Sequence, residues 1–415
     1  MAIVRPFRAL RPRPELAAQV AALPYDVMNS DEAREMVKGN PYSFLHVDKA
    51  EIDLDPGLDL YDEKVYLKAR ENLQRMAADK VLVEDTQPCF YIYRQVMNGR
   101  EQTGLVACAS IDDYLNNIIK KHENTRADKE ADRIKHVDYC DANTGPIFLT
   151  YRAQPEIAAV IKKWTEHKKP IYDICSDDGI SHIIWLIDDR AVNARLQELF
   201  QAVKYLYIAD GHHRCASAVR VGQMRRQEHP AYSGQEEFNY FLAVIFPDNE
   251  LHIMDYNRVV KDLNGLSETA FLDAVGRKFD ITPCSDRGPY RPECKHRIGM
   301  YLQGRWYTLK VREGSFPADD PVERLDVSIL QNQLLRPILG IDDPRTDKRI
   351  DFIGGIRGLQ ELERRVEAGM AVAFSMYPTE IEDLMDIADA GKVMPPKSTW
   401  FEPKLRSGLF IHKLS

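Results

Sequence analysis

The run Tyr207-Ile208-Ala209-Asp210-Gly211-His212-His213-Arg214-Cys215-Ala216 gathers a carboxylate, two imidazoles and a guanidinium where an apolar stretch meets a glycine. Lys204–Asp210 predicts a strand, Gly211 a turn, and the residues from about Cys215 to Gln227 a helix. The free N–H groups of a helix N-terminus bind anions, and His212, His213 and Arg214 add donors and charge at that mouth. Asp210 is placed to fix a histidine tautomer or to orient a substrate hydroxyl. Taken singly, the residues read more readily as structural, Asp210 as a helix cap and the histidines as surface groups. Together, at one strand–helix junction, they favour a site.

A second cluster is Lys120-Lys121-His122-Glu123-Asn124-Thr125, followed by Asp132-Arg133. Glu123 is a candidate general base, a role that requires it to reach the proton it removes. His122, Thr125 and Arg133 are candidate binders of phosphate or hydroxyl groups. A capping role at a helix start is the alternative, stronger for Thr125 than for Glu123. A third strip, Lys397-Ser398-Thr399 with Lys404-Leu405-Arg406-Ser407-Gly408, sets cations and hydroxyls among Pro395, Pro396 and Pro403. Lys397, Ser398, Thr399 and Arg406 read as a phosphate-gripping strip or as solvated surface. It is not a Walker A loop. His212, His213 and Cys215 lack the distant fourth ligand that zinc needs, so no metal site is assigned. Gly354-Gly355-Ile356-Arg357-Gly358 lacks the strand context of a dinucleotide fingerprint.

The elements that must position these groups follow from pattern and punctuation. Asn29/Ser30 caps a helix over Asp31–Lys38, stopped by Gly39-Asn40-Pro41. Ser43–Val47 predicts a short strand. Residues 59–79 show helical spacing at Leu60, Val65, Leu67, Leu73 and Met76. Strands at 89–96 and 103–110 flank Met97-Asn98-Gly99-Arg100, a hairpin signal. A polar helix over Lys129–Tyr139 precedes strands at Ile147–Tyr151, His182–Ile187 and Phe238–Phe246. Pro283–Pro292 is turn-rich and marks an internal boundary. Helices over 322–336 and 357–369 and a strand near Met370–Met376 follow. Trp400, Phe401, Leu405 and Leu409 require burial, so the tail is ordered.

The 415 residues carry 56 Lys+Arg and 64 Asp+Glu, a net charge of −8, with 44% hydrophobic and 29% charged residues. That balance excludes a disordered chain or a coiled-coil rod. At about 100–200 residues per domain, the length predicts two or three domains. An acidic pI near 5.8 argues against nucleic acid as the partner and leaves room for a local basic cleft. Seven cysteines, an odd number without a Cys-x-x-Cys pair, fit reduced thiols in the cytoplasm. No run approaches the ~18 apolar residues that span a membrane, and no signal-peptide stretch opens the sequence.

Five ordered motifs resemble the bacterial DUF1015 family: Pro24-Tyr25-Asp26-Val27, Asn40-Pro41-x-Ser43-Phe44-Leu45-His46, His122-Glu123-x-Thr125, Asp210-Gly211-His212-His213-Arg214 and Pro395-Pro396-Lys397-Ser398-Thr399. The fourth also resembles the motif of free-serine kinases built on a ParB/sulfiredoxin-like nucleotide-binding core. The resemblance implies an α+β fold, with that mixed α/β core elaborated by N- and C-terminal α+β segments. The expected division is 1–100, 101–260 (the core) and 261–415, with a tail that returns to the site. It implies phosphorylation of free L-serine to O-phospho-L-serine by ATP or ADP, with Mg²⁺ carried mainly by the nucleotide. Glu123, Asp210 and His213 would be catalytic. Gly211, His212, Arg214, His122, Thr125, Arg133, Lys397, Ser398, Thr399 and Arg406 would hold the nucleotide. His212 stands where sulfiredoxins carry a cysteine, which argues against reductase chemistry. The alternatives are a ParB-like nucleotide-gated regulator and a metabolite-binding protein without turnover. The sequence does not fix an oligomeric state.

Overall fold

In the computed structural model of the chain, Asn98 and Gly99 adopt φ angles of 53° and 78°. Two positive φ values make the mirror-image turn whose twist matches paired strands, so Phe90–Met97 and Arg100–Ser110 run as an antiparallel hairpin with Met97 opposite Arg100. This hairpin is the middle of a nine-stranded mixed sheet. In chain order its strands are β1 (Val4–Arg5), β2 (Phe90–Met97), β3 (Arg100–Ser110), β4 (Ile119–Lys120), β5 (Ile147–Tyr151), β6 (Tyr172–Cys175), β7 (Ser181–Ile187), β8 (Leu206–Asp210) and β9 (Tyr240–Pro247). The spatial order is β4-β8-β5-β9-β3-β2-β7-β6, with β1 on β3. β9 is parallel to β5, and β8 is antiparallel to β5 and parallel to β4.

The structure describes residues 1–285 and 288–415. They form two compact units, Met1–Leu251 with Pro403–Ser415, and His252–Glu402. The protein is a mixed α+β chain. Residue 100 opens a central strand of the first unit, and residue 260 lies in a strand of the second. The chain passes between units at 251–252 and 402–403, outside Pro283–Pro292, of which residues 286 and 287 lie outside the described residues.

In the first unit the long helices are α1 (Glu63–Ala78), α2 (Ala127–Cys140), α3 (Pro155–His167), α4 (Arg190–Gln201) and α5 (His212–Glu228). Ile157 and Trp164 of α3, with Leu196 and Phe200 of α4, bury against Ile147, Leu149 and Ile208 of the sheet. Removing a large side chain from such a cluster costs about 3–5 kcal/mol. A second cluster joins Val65, Ala69, Leu73 and Met76 of α1 to Phe44, Leu45 and Val47. Leu60 and Leu67, expected on the buried stripe of this helix, are exposed instead, and Tyr66 takes the inward place. Ser43–Val47 is not a strand. Leu45–Asp48 is a short helix, started by Ser43 Oγ accepting from Leu45 N–H, with Phe44, Leu45 and Val47 in the core.

The tail belongs to the first unit. Ile411–Lys413 pairs with both Ala9–Pro12 and Ala142–Asn143, in a small sheet completed by Leu82–Glu84. Leu405 and Leu409 are buried here and Phe401 is buried in the second unit, as their apolarity requires, whereas Trp400 stays partly exposed. The second unit is built on an antiparallel sheet of β10 (Tyr256–Val260), β11 (Phe279–Pro283), β12 (Arg297–Leu302), β13 (Arg305–Val311), β14 (Ile350–Gly354) and β15 (Val372–Ser375), in the order β11-β13-β12-β15-β10-β14. Of the helix expected over 322–336, Asp326–Leu330 is α-helical and Gln331–Leu335 widens into a π turn.

Candidate active site

β8 ends at Asp210, Gly211 turns with φ 91° and ψ 34°, and α5 begins at His212, three residues earlier than the sequence pattern places it. The left-handed φ suits glycine. An added Cβ at Gly211 would also stand 3.1 Å from Arg214 Nε. Cys215 N–H donates to Gly211 O, so the N–H groups of His212, His213 and Arg214 precede the first intrahelical bond and face the helix mouth.

Asp210 is half-buried. It accepts from Gly211 N–H at 2.8 Å and from Lys404 Nζ at 3.1 Å. Burial pushes its carboxyl up, but the charges of Lys404 and Arg214 outweigh this and hold it well below the usual carboxylate range. Lys404 is fixed from behind by Gln95, whose side chain donates to the Lys404 carbonyl at 2.9 Å. Lys404 lies in the tail segment Pro403–Ser415, which therefore passes beside Asp210.

His212 is buried, and His122 N–H lies 3.5 Å from its Nε2. That contact leaves the proton on Nδ1, which faces Glu123 Oε2 at 3.6 Å. The His122 ring meets His212 edge to face at 4.4 Å. Burial pushes His122 down to about 4 and His212 well below the usual imidazole range, so both are neutral at pH 7. Glu123 keeps 57% of its side chain exposed, at the mouth beside this pair. His213 accepts from Arg126 N–H at 3.0 Å, and burial lowers its pKa too. Thr125 donates to Glu130 Oε2 at 2.7 Å, which ties its hydroxyl to the start of α2.

Arg214 turns away from the mouth. Its Nη1 donates to Pro146 O at 2.6 Å, and its Nε is buried without a partner. It lines a cavity of about 30 Å³ with Tyr25, Asp48, Arg133, His136 and Thr144. Arg133 lies 4.1 Å over the Tyr25 ring and pairs with Asp132 at 2.9 Å.

The expected phosphate strip divides. Arg406 is buried and satisfied by Asp178, by Ser176 Oγ at 2.9 Å and by His182 Nε2 at 3.2 Å, so its guanidinium is not offered to the Asp210 turn. Lys397, Ser398 and Thr399 belong to the second unit. There Lys397 has φ 57°, its carbonyl accepts from Arg258 Nη2 at 3.0 Å, and Ser398 Oγ donates to Pro395 O. Asp48 and His136 stand in none of the sequence motifs, whereas Lys404 belongs to the third strip and is its member that reaches Asp210. Tyr25 and Asp26 stand in the motif Pro24-Tyr25-Asp26-Val27, whose residue types alone point to no chemistry. Among the described residues, no group of three or more His, Cys, Asp or Glu side chains is arranged to hold a metal ion. No helix among them is long and apolar enough to cross a membrane.

The model of a family described as "Protein of unknown function (DUF1015)" matches residues 4–328. No curated protein matches the chain. Solved structures similar to it include a C-terminally truncated SbnI from Staphylococcus aureus, at 10% identity and a TM-score of 0.37, covering 72% of this chain and 82% of that one. A free serine kinase in complex with AMP is similar at 13% identity and a TM-score of 0.34, covering 74% and 91%. A variant of a free serine kinase in complex with ADP gives 13% identity and 0.34, covering 74% and 92%.

Proposed function

The chain belongs to the DUF1015 family, and from that premise we propose that it is an ATP-dependent kinase that phosphorylates free L-serine. The observation that carries this reading is the turn at Asp210–Arg214, where a helix mouth, the Asp210–Lys404 pair and Glu123 beside His212 meet. Phosphoryl transfer asks a protein for positioning and charge stabilisation rather than covalent chemistry. The N–H groups at the start of α5 and the His213 side chain hold the nucleotide phosphates. Glu123 takes the hydroxyl proton as serine Oγ bonds to the γ-phosphorus. The bond from that phosphorus to the bridging oxygen breaks, and ADP leaves. Neutral His212 orients Glu123, and Asp210 with Lys404 positions the hydroxyl. Mg²⁺, carried by the phosphates and water, would meet the carboxylates of Asp210 and Glu123 and neutralise phosphate charge. The seven free cysteines suit a reducing, cytoplasmic setting.

The test is incubation of the purified chain with ATP, Mg²⁺ and a panel of amino acids, followed by mass spectrometry. O-phospho-L-serine and ADP should form in equal amounts. ATP left intact with every amino acid would overturn the reading.

A further inference from the structure

Arg214 is a guanidinium without an ion-pair partner. Asp26, Asp210 and Asp48 act on it through space, with none at ion-pair distance among the described residues. Its Nε is buried and unbonded, and an orphaned charged donor of this kind is costly unless something fills the space it faces. Arg214 also lines the cavity of about 30 Å³. By volume it holds about two oxygen-sized positions.

The walls set the charge of the occupant. Arg133 and Arg214 bring two cations. His136 brings a third: its Nε2 lies 3.2 Å from Thr144 Oγ1 and 3.6 Å from Asp48 Oδ1, and Thr144 donates to that same Asp48 oxygen at 2.7 Å. Arg133 is paired with Asp132 at 2.9 Å and His136 with Asp48 at 3.6 Å, which leaves Arg214 as the wall cation without an ion pair among the described residues. A planar carboxylate supplies two oxygens and one charge. A tetrahedral phosphate exceeds both the room and the charge.

We propose that this cavity takes the α-carboxylate of the amino-acid substrate, bound by Arg214 Nε–H and the free N–H groups of Arg133. The assignment rests on the kinase reading for its substrate and moves Arg214 from the nucleotide to the amino acid. It lies one residue along the chain from His213, so the two halves of the reaction are gripped from adjacent positions of one helix start.

The experiment compares L-serine with L-serinamide and ethanolamine, each of which keeps the hydroxyl, on the unmodified full chain with ATP and Mg²⁺. Loss of a charge-assisted contact should lower kcat/KM for the two carboxylate-free compounds about ten- to a hundredfold, with KM for ATP unchanged. Arg133→Gln should raise KM for serine by a similar factor and leave KM for ATP alone. Equal turnover of serinamide and serine would overturn the assignment, as would an Arg133→Gln or Arg214→Gln effect confined to KM for ATP. Either result would leave the kinase reading standing. If no amino acid is phosphorylated, calorimetry without nucleotide decides: heat with L-serine but not serinamide supports the carboxylate pocket on its own, and heat with neither overturns it.

Discussion

Lys404→Met removes the only side-chain cation bonded to Asp210 among the described residues. An exposed ion pair contributes about 0.2–1 kcal/mol, whereas stripping one partner from a fully buried pair costs about 3–5 kcal/mol. The Lys404 and Asp210 side chains are 17% and 32% exposed, which sets this pair between those limits. A loss of about 1.5–3 kcal/mol follows, the range of a hydrogen bond to a charged group. At 1.4 kcal/mol per tenfold, local opening of β8 and the start of α5 should rise about 10- to 140-fold. Hydrogen exchange read by mass spectrometry on peptides covering Leu206–Glu228 measures this directly. The sign with pH is fixed by the depressed Asp210 carboxyl. The stabilisation is fully present above about pH 4, the unfolded value, and disappears as pH falls through the lower folded value. Lys404→Met/Asp210→Asn should recover most of the protection, because no uncompensated carboxylate is left. Unchanged exchange in Lys404→Met, or a double variant whose loss is the sum of the two single losses, would refute the reasoning.

Three further outcomes are expected. Glu123→Gln should lower kcat for serine phosphorylation by about 10²–10⁴-fold with nucleotide affinity retained, since a positioned general base is worth that much. Steady-state kinetics beside nucleotide titration checks it, and unchanged kcat removes Glu123 from the mechanism. Gly211→Ala should destabilise the turn by about 1–2 kcal/mol through its left-handed φ, and displacement of the Arg214 guanidinium should weaken amino-acid binding further. Thermal unfolding and the KM for serine test this. Burial opposes a charge on His136, but Cys140 and the Asp48 hydrogen bond outweigh it and push its pKa up to about 9. The stability this lends is fully present below about pH 6.5 and is lost as pH rises toward 9. A Tm measured across pH 6–9.5 should therefore fall over that window, and more steeply than in Asp48→Asn.

What the sequence makes legible here is what is local. Asn98-Gly99 demands a turn that few other dipeptides adopt, so its hairpin is readable without neighbours. Asp210-Gly211-His212 marks a strand, a reversal and a helix start within a few residues. Phe44-Leu45-His46-Val47 is too short for its period to decide, and packing against α1 settles it as helix. The tail shows the limit most clearly. Lys404 and Arg406 are cations two residues apart, and nothing in their spacing says which meets Asp210. The answer depends on Ser176, Asp178 and His182, which lie more than 220 residues away and occupy Arg406 first. Tyr25, Asp48, Arg133, His136 and Arg214 likewise come from four separate elements, and only the fold assembles their charges into one cavity.

The last strand, Ile411–Lys413, holds together two short strands that begin at Ala9 and Ala142. During synthesis the chain grows from its N-terminus, and domains fold as units while they emerge. Residues 252–402 are therefore complete before the ribosome delivers the segment that finishes the unit flanking them in sequence. Until Pro403–Ser415 arrives, Ala9–Pro12 and Ala142–Asn143 present bare edges, and Asp210 has no lysine beside it. A nascent chain stalled at residue 402 would carry every other group of the Asp210 turn and still be without this one. Maturation of the turn is thus tied to translation of Pro403–Ser415, and products terminated before that segment are marked out by exposed strand edges that invite capture by chaperones.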